Sequence, residues 1–182
     1  MRIFKTLALL ALFLFPALPG PSAKPAVLVM EEEIVLAPSQ PRMWNFVRNT
    51  NPHLDKSDVT YISKVLQEKA EQYDLDLVTF AAVVAQESSF KLNLEVCHGV
   101  RGNCDIGLGQ ISSFWVKTWK LDKKRLQYDI AYNLDVAARI LKAAYDENPT
   151  EKKAYSRYYN PIPKHRKEYE KRVEKWIQVA SR

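Results

Sequence analysis

Asp76-Leu77-Val78-Thr79-Phe80-Ala81-Ala82-Val83-Val84-Ala85-Gln86-Glu87-Ser88 is almost wholly apolar until its last three residues. The Asp76 side chain can accept from a backbone N–H of the next turn, so it starts a helix that runs from Leu77 to about Ser88. In that helix Phe80, Val83 and Val84 stand seven, four and three positions before Glu87, which brings them onto its face. Two placements of the acid are compatible with this spacing. Either Glu87 continues the apolar stripe, where low dielectric disfavours the ionised form and suits the group to act as a general acid near neutral pH, or the stripe ends at Val84 and Glu87 points to solvent from a frayed terminus.

On the amino-terminal side, Val59, Ile62, Val65, Leu66, Lys69, Ala70 and Tyr73 recur at three- and four-residue steps, a helical pattern that begins near Asp58. On the carboxy-terminal side a Gly-bearing loop over about 91–109 precedes a helix from Gln110 or Ser112 towards Trp119. Asp129 caps a further helix over Ile130 to Tyr145, with Leu134, Ala137, Ala138, Leu141 and Tyr145 as its apolar stripe. A short helix near 151–159 stops before Pro161 and Pro163, and a last one spans about His165 to Ala180, with Tyr169, Val173, Trp176 and Ile177 on one face. No alternating run demands a sheet and no internal repeat is present, so the expected fold class is all-α, or α with a marginal β-hairpin. Residues 24–57, with Pro25, Pro38, Pro41 and Pro52 and no sustained periodicity, read as a linker or extended arm ahead of a domain over 58–182.

The composition agrees with one globular domain: 182 residues, 47% hydrophobic, 26% charged, 10 Pro and 5 Gly. A net charge of +6 and a pI near 9.2 favour an anionic partner such as nucleic acid, acidic lipid or a cell-wall polymer. His53, His98 and His165 are scattered with no zinc spacing, so neither a metal nor a cofactor is expected. Arg2 and Lys5 precede an apolar run from Leu7 to Leu18, and Pro19-Gly20-Pro21 leads to Ser22 and Ala23, the pattern of a cleaved export signal over 1–23. An uncleaved anchor is the alternative, but Pro16 interrupts a run already short for a membrane span. Export implies a periplasmic or secreted protein with no integral span after cleavage. It also argues against a nucleic-acid partner, for which no reading motif is present. In an oxidising compartment Cys97 and Cys104, enclosing a short segment with Gly99 and Gly102, are expected to form a structural disulfide rather than a redox pair, which favours Cys-x-x-Cys spacing.

Ile106-Gly107-Leu108-Gly109-Gln110-Ile111 places two glycines beside a glutamine whose amide offers both a donor and an acceptor, as sugar hydroxyls and amides require. Tyr158-Tyr159-Asn160-Pro161 brings phenols and an amide together at a helix end. Each segment alone is equally readable as a tight turn or as core. In the order Glu87-Ser88, then Gly107-Leu108-Gly109-Gln110-Ile111, then Tyr159-Asn160, they resemble the soluble lytic transglycosylase family, over about residues 58–180. That resemblance implies a goose-lysozyme-like, mostly helical domain with a glycan-binding groove. It also implies Glu87 as catalytic acid/base, Ser88, Gln110, Tyr159 and Asn160 as substrate contacts, and the peptidoglycan glycan strand as partner. Gly109 stands where the family usually has Met, a variant associated with secretion- and conjugation-linked members, so a secretion or conjugation apparatus is a further expected partner. Pro161-Ile162 replaces the usual small residue and Gly, and residues 90–106 contain no serine to contact the acid.

The resemblance implies cleavage between MurNAc and GlcNAc by one glutamic acid, which protonates the glycosidic oxygen and then draws a proton from the C6 hydroxyl to close a 1,6-anhydro ring. A lysozyme-type hydrolase is the near rival and would need a second carboxylate, with Glu95 and Asp105 the nearest in sequence. A peptidoglycan-binding or assembly protein with an idle acid is the other. Phe114, Trp115 and Trp119 offer either sugar-stacking rings or a buried helix face. Lys164, Arg166, Lys167, Lys171 and Arg172 offer either attraction to an anionic wall or a solvated helix face.

Overall fold

The computed structural model describes residues 40–99, 102–149, 153–159 and 163–182. The expected export signal, Asn160 and Pro161-Ile162 lie outside them, as does the side chain of Tyr159. The elements are α1 Gln40–Thr50, α2 Lys56–Gln72, α3 Leu77–Ser88, β1 Glu95–His98, β2 Asn103–Ile106, β3 Ile111–Ser112, α4 Ser113–Thr118, α5 Lys123–Tyr128, α6 Ile130–Asp146, α7 Ser156–Tyr159 and α8 Pro163–Ala180. The fold is mostly α with one small antiparallel sheet, ordered β1-β2-β3. No helix among the described residues is long and apolar enough to cross a membrane.

The central element is α3. Asp76 starts it, accepting from the Thr79 backbone N–H at 2.8 Å and from the Thr79 hydroxyl at 2.6 Å. Every side chain from Phe80 to Ala85 is buried, because α2, α6 and α8 pack around the helix. A helix apolar all round belongs inside a protein, and Ala81, Ala82 and Ala85 let the neighbouring helices approach closely. The helix ends abruptly: Ser89 and Phe90 both adopt left-handed backbone, φ 51° and 56°, a conformation unfavourable to side chains with a Cβ. The Ser89 N–H donating to Ala85 O at 2.8 Å and the Asn51 amide donating to Phe90 O at 3.0 Å hold the chain there.

Several sequence expectations need correction. Residues 40–50, placed within a linker or arm, form α1, whose Met43, Phe46 and Val47 are buried in the main core. These positions follow helical spacing, and Pro41 sits in the first turn, where its missing N–H does no harm. The loop over 91–109 contains β1 and β2, paired so that Cys97 lies opposite Cys104, and the expected disulfide joins them. The helix expected from Gln110 or Ser112 starts at Ser113, because Gln110 takes φ 46° and Ile111–Ser112 pairs with β2 instead. Helix α5, capped by Asp122, was not anticipated. The described part of the helix expected near 151–159 is the single turn of α7. Helix α8 begins at Pro163, a favoured first residue.

Because Phe46 packs edge-on against both Phe90 (5.8 Å) and Trp176 (6.1 Å), α1 ties the end of α3 to α8. Phe46→Ala is expected to lower unfolding free energy by about 3–5 kcal/mol in urea titrations, where a residue in a linker would change nothing.

Candidate active site

Of the two placements open to Glu87, the structure has the first. Its carboxylate ends the buried face of α3, partly open to a cavity on one side and covered by α8 on the other. From α8 the fully buried Tyr169 donates its hydroxyl to Glu87 Oε1 at 2.6 Å. Burial pushes the Glu87 pKa up to about 7. The Tyr169 hydrogen bond opposes the rise, the charge of Asp105 adds to it, and Arg172 draws it down. The same burial and the adjacent acid hold the Tyr169 hydroxyl well above its ordinary pKa, so it stays a donor.

The cavity, about 520 Å³, is lined by Glu87, Asp105, Gln110, Phe114, Trp115 and Tyr158, with Glu147 and Arg157 also reaching it. One wall is the turn Gly107–Gln110. At Gly107, φ 73°, a Cβ would fall 2.1 Å from Asn133 Nδ2 and 2.3 Å from Leu126 O, so no other residue fits. Asn133, 1% exposed, braces the turn: Nδ2 donates to Ile106 O (2.9 Å) and Leu126 O (2.8 Å), and Oδ1 accepts from the Gly109 N–H (2.7 Å). Gln110 lines the cavity with its amide nitrogen tied to Gly107 O at 2.8 Å. A Cβ at Gly109 would lie 2.7 Å from Ala137 Cβ and 2.9 Å from the Tyr158 hydroxyl, which donates to Gly109 O at 2.7 Å. Gly109 thus leaves the space that Ala137 Cβ and the Tyr158 hydroxyl occupy.

The remaining candidates separate cleanly. Ser88, expected to contact substrate, instead closes the last turn of α3: its buried hydroxyl donates to Val84 O (3.3 Å) and accepts from the Phe90 N–H (3.1 Å). Tyr159 contributes its backbone to α7. Of the two possible second acids, Asp105 faces the cavity between buried Cys104 and Ile106, with Oδ2 3.0 Å from His98 Nε2. Glu95 pairs with Lys123 at 2.7 Å. Trp115 lines the cavity, whereas Trp119 packs against it and beneath the Arg139 guanidinium. Lys167, Lys171 and Arg172 are exposed along α8, with Arg172 6.0 Å from the Tyr169 ring.

Sequence reasoning placed Tyr169 only as a stripe residue and passed over Asn133. Asn133 stands four positions before Ala137, so a polar side chain on an apolar stripe was a readable signal.

The model of the family described as Transglycosylase SLT domain matches residues 64–178. The chain belongs to the transglycosylase SLT family. No curated protein matches it. At the family level this is a glycan-cleaving transglycosylase domain with peptidoglycan as its substrate. The SLT match runs from within α2 to near the end of α8, and so takes in every element that lines the cavity.

Two outcomes are expected. Gly109→Ala should cost about 1–3 kcal/mol in chemical unfolding, since either Ala137 or the Tyr158 hydrogen bond must give way. A carboxyl whose pKa is higher folded than unfolded binds more protons in the native state, so stability falls as pH rises from about 4.5 to about 7 and then levels. Glu87→Gln should therefore raise stability at pH 8, by roughly 3 kcal/mol at most, and leave it unchanged below pH 4, as read by thermal unfolding.

Proposed function

We propose that the protein cleaves the MurNAc-β-1,4-GlcNAc bond of peptidoglycan by intramolecular transglycosylation, with Glu87 as acid and then base. The observation that carries this is a carboxyl poised near neutrality, its pKa about 7, at the edge of a cavity large enough for sugar. In the first step protonated Glu87 gives its proton to the glycosidic oxygen. The C1–O bond breaks, and GlcNAc leaves with a free 4-hydroxyl. In the second step the Glu87 carboxylate takes the proton of the C6 hydroxyl on the same MurNAc, whose oxygen bonds to C1 and closes the 1,6-anhydro ring. Glu87 ends protonated, as it began, and no water enters.

Tyr169 has a part in this cycle. Its hydrogen bond to Oε1 favours the ionised carboxyl that exists between the two steps, while burial favours the neutral one needed at the start. The Gln110 amide and the backbone of the Gly107–Gln110 turn supply polar contacts for hydroxyl and N-acetyl groups. The segment over 1–23, read as an export signal, would place the reaction in the periplasm or outside the cell.

A second reading, hydrolysis of the same bond, is favoured by Asp105 sharing the cavity with Glu87. A carboxylate there could activate water against C1. Digestion of purified peptidoglycan followed by mass spectrometry separates the two. Soluble muropeptides lighter than their reducing counterparts by one water mean ring closure, whereas reducing ends mean hydrolysis. Under the first reading Glu87→Gln lowers the rate by at least about a hundredfold. Asp105→Asn leaves the product anhydro. Activity falls above pH 7 as Glu87 loses its proton, and Tyr169→Phe moves that alkaline limb to higher pH by removing the bond that favours the carboxylate.

A further inference from the structure

Asp105 has a partner that the proposed chemistry does not use. In the β1–β2 register Val96 stands opposite Asp105 and His98 opposite Asn103, so these four side chains share one face of the hairpin, while Cys97, Cys104 and Ile106 share the other. Cys104 and Ile106 are buried, so the second face packs on the core and the first carries Asp105 to the cavity. His98 lies diagonally across the two strands from Asp105, with its Nε2 3.0 Å from Asp105 Oδ2. A carboxylate only accepts hydrogen bonds, so Nε2 carries the proton and donates it. The Cys97–Cys104 bond on the opposite face ties the strands between these residues and pins the register in which they meet. The hairpin's other acid, Glu95, is on the packed face and pairs with Lys123.

As a source of stability the pair is minor, since the His98 side chain is 62% exposed and that of Asp105 32%, and ion pairs open to water contribute little. Its effect lies in where it keeps a charge. Glu87 and Asp105 line one cavity, and the charge of Asp105 raises the Glu87 pKa. Two like charges relax by moving apart, and a carboxylate already partly in water gains hydration by turning further out. The His98 bond opposes that turn. The other groups facing Glu87 come from α8, where Tyr169 and Arg172 both lower its pKa, and from α7, where burial keeps Tyr158 a neutral phenol. Glu147 and Arg157 line the same cavity. Among the described side chains that act on the Glu87 pKa, Asp105 is thus the one that raises it.

We propose that His98 is a positioning residue: by holding Asp105 Oδ2 it keeps that negative charge in the cavity with Glu87, and so extends towards higher pH the range in which Glu87 can serve as the acid. This rests on the glycan-cleaving reading above and assigns the tuning of its acid to a side chain outside the proposed chemistry. The direction of the effect separates the bond from a direct action of the imidazole. A positive imidazole acting on Glu87 through space would lower its pKa, so its removal would raise it. Loss of the bond that holds Asp105 does the reverse.

Titration of Glu87 itself tests this without any cleavage. The carboxyl is followed by NMR in protein isotope-labelled at its glutamate carboxyls, the Glu87 signal being assigned by its loss in Glu87→Gln. In His98→Ala the titration midpoint is expected to fall by about half a pH unit, and His98→Gln, which keeps a donor near the Nε2 position, restores most of it. Asp105→Asn gives a fall at least as large. Adding His98→Ala to Asp105→Asn moves the midpoint no further, because the imidazole then has no charge to hold. An unchanged or raised midpoint in His98→Ala overturns the proposal, as does a failure of His98→Gln to restore it or a further fall in the double variant. Its failure is distinguishable from failure of the proposed chemistry. If wild-type protein releases anhydro-muropeptides while His98→Ala leaves the Glu87 midpoint unchanged, the positioning role falls and the reaction stands. If no muropeptides are released while the midpoint falls as expected, the reaction falls and the link from His98 through Asp105 to Glu87 stands.

Discussion

Helix α3 is buried on every side from Phe80 to Ala85, and the rest of the molecule is arranged around that constraint. An apolar helix of this kind has no stable position except between other helices, so α2, α6 and α8 must surround it. The sequence turns polar only at Gln86, too late to bring the next acid fully out into water. Glu87 therefore reaches the cavity with its back against protein, and its raised pKa follows first from that burial, with the charge of Asp105 a smaller contribution in the same direction. The hydrogen bond from Tyr169 moderates this without cancelling it. Even the strained left-handed pair Ser89 and Phe90 follows, since the chain must leave the core abruptly to begin the sheet that carries Asp105.

The opposite wall depends on one buried amide. Asn133 bonds the carbonyls of Ile106, at the end of β2, and Leu126, in α5, and the N–H of Gly109 in the Gly107–Gln110 turn, so one side chain joins all three segments. That close approach excludes a Cβ at Gly107. At Gly109 the excluding neighbours are Ala137 Cβ on α6 and the Tyr158 hydroxyl on α7, so both glycines lie close against α6.

Much of this was legible in the residues, and the exceptions have physical causes. Helices α2, α3, α6 and α8 follow from periodicity because each buries a stripe, and the caps Asp76 and Asp129 are visible as residues. Helix α1 was obscured by the prolines on either side of it, although Met43, Phe46 and Val47 keep helical spacing. The sheet was invisible because its strands are short and its pairing is stapled by Cys97–Cys104 rather than driven by alternating hydrophobicity. Periodicity put Glu87 on the apolar face but could not say whether the face continued that far. Partners 82 positions away, as Tyr169 is, leave no trace in local pattern. Ser88 shows the converse: adjacency to the acid in sequence places its hydroxyl inside the helix turn, not towards a ligand.

The separation of Glu87 and Tyr169 along the chain makes the acid's surroundings a product of assembly. Helix α3 supplies the carboxyl, and α8 supplies both the hydroxyl that holds Oε1 and one of the surfaces packed against α3. A substitution that loosens the packing of α8 on α3 therefore reaches the acid without altering any residue that lines the cavity.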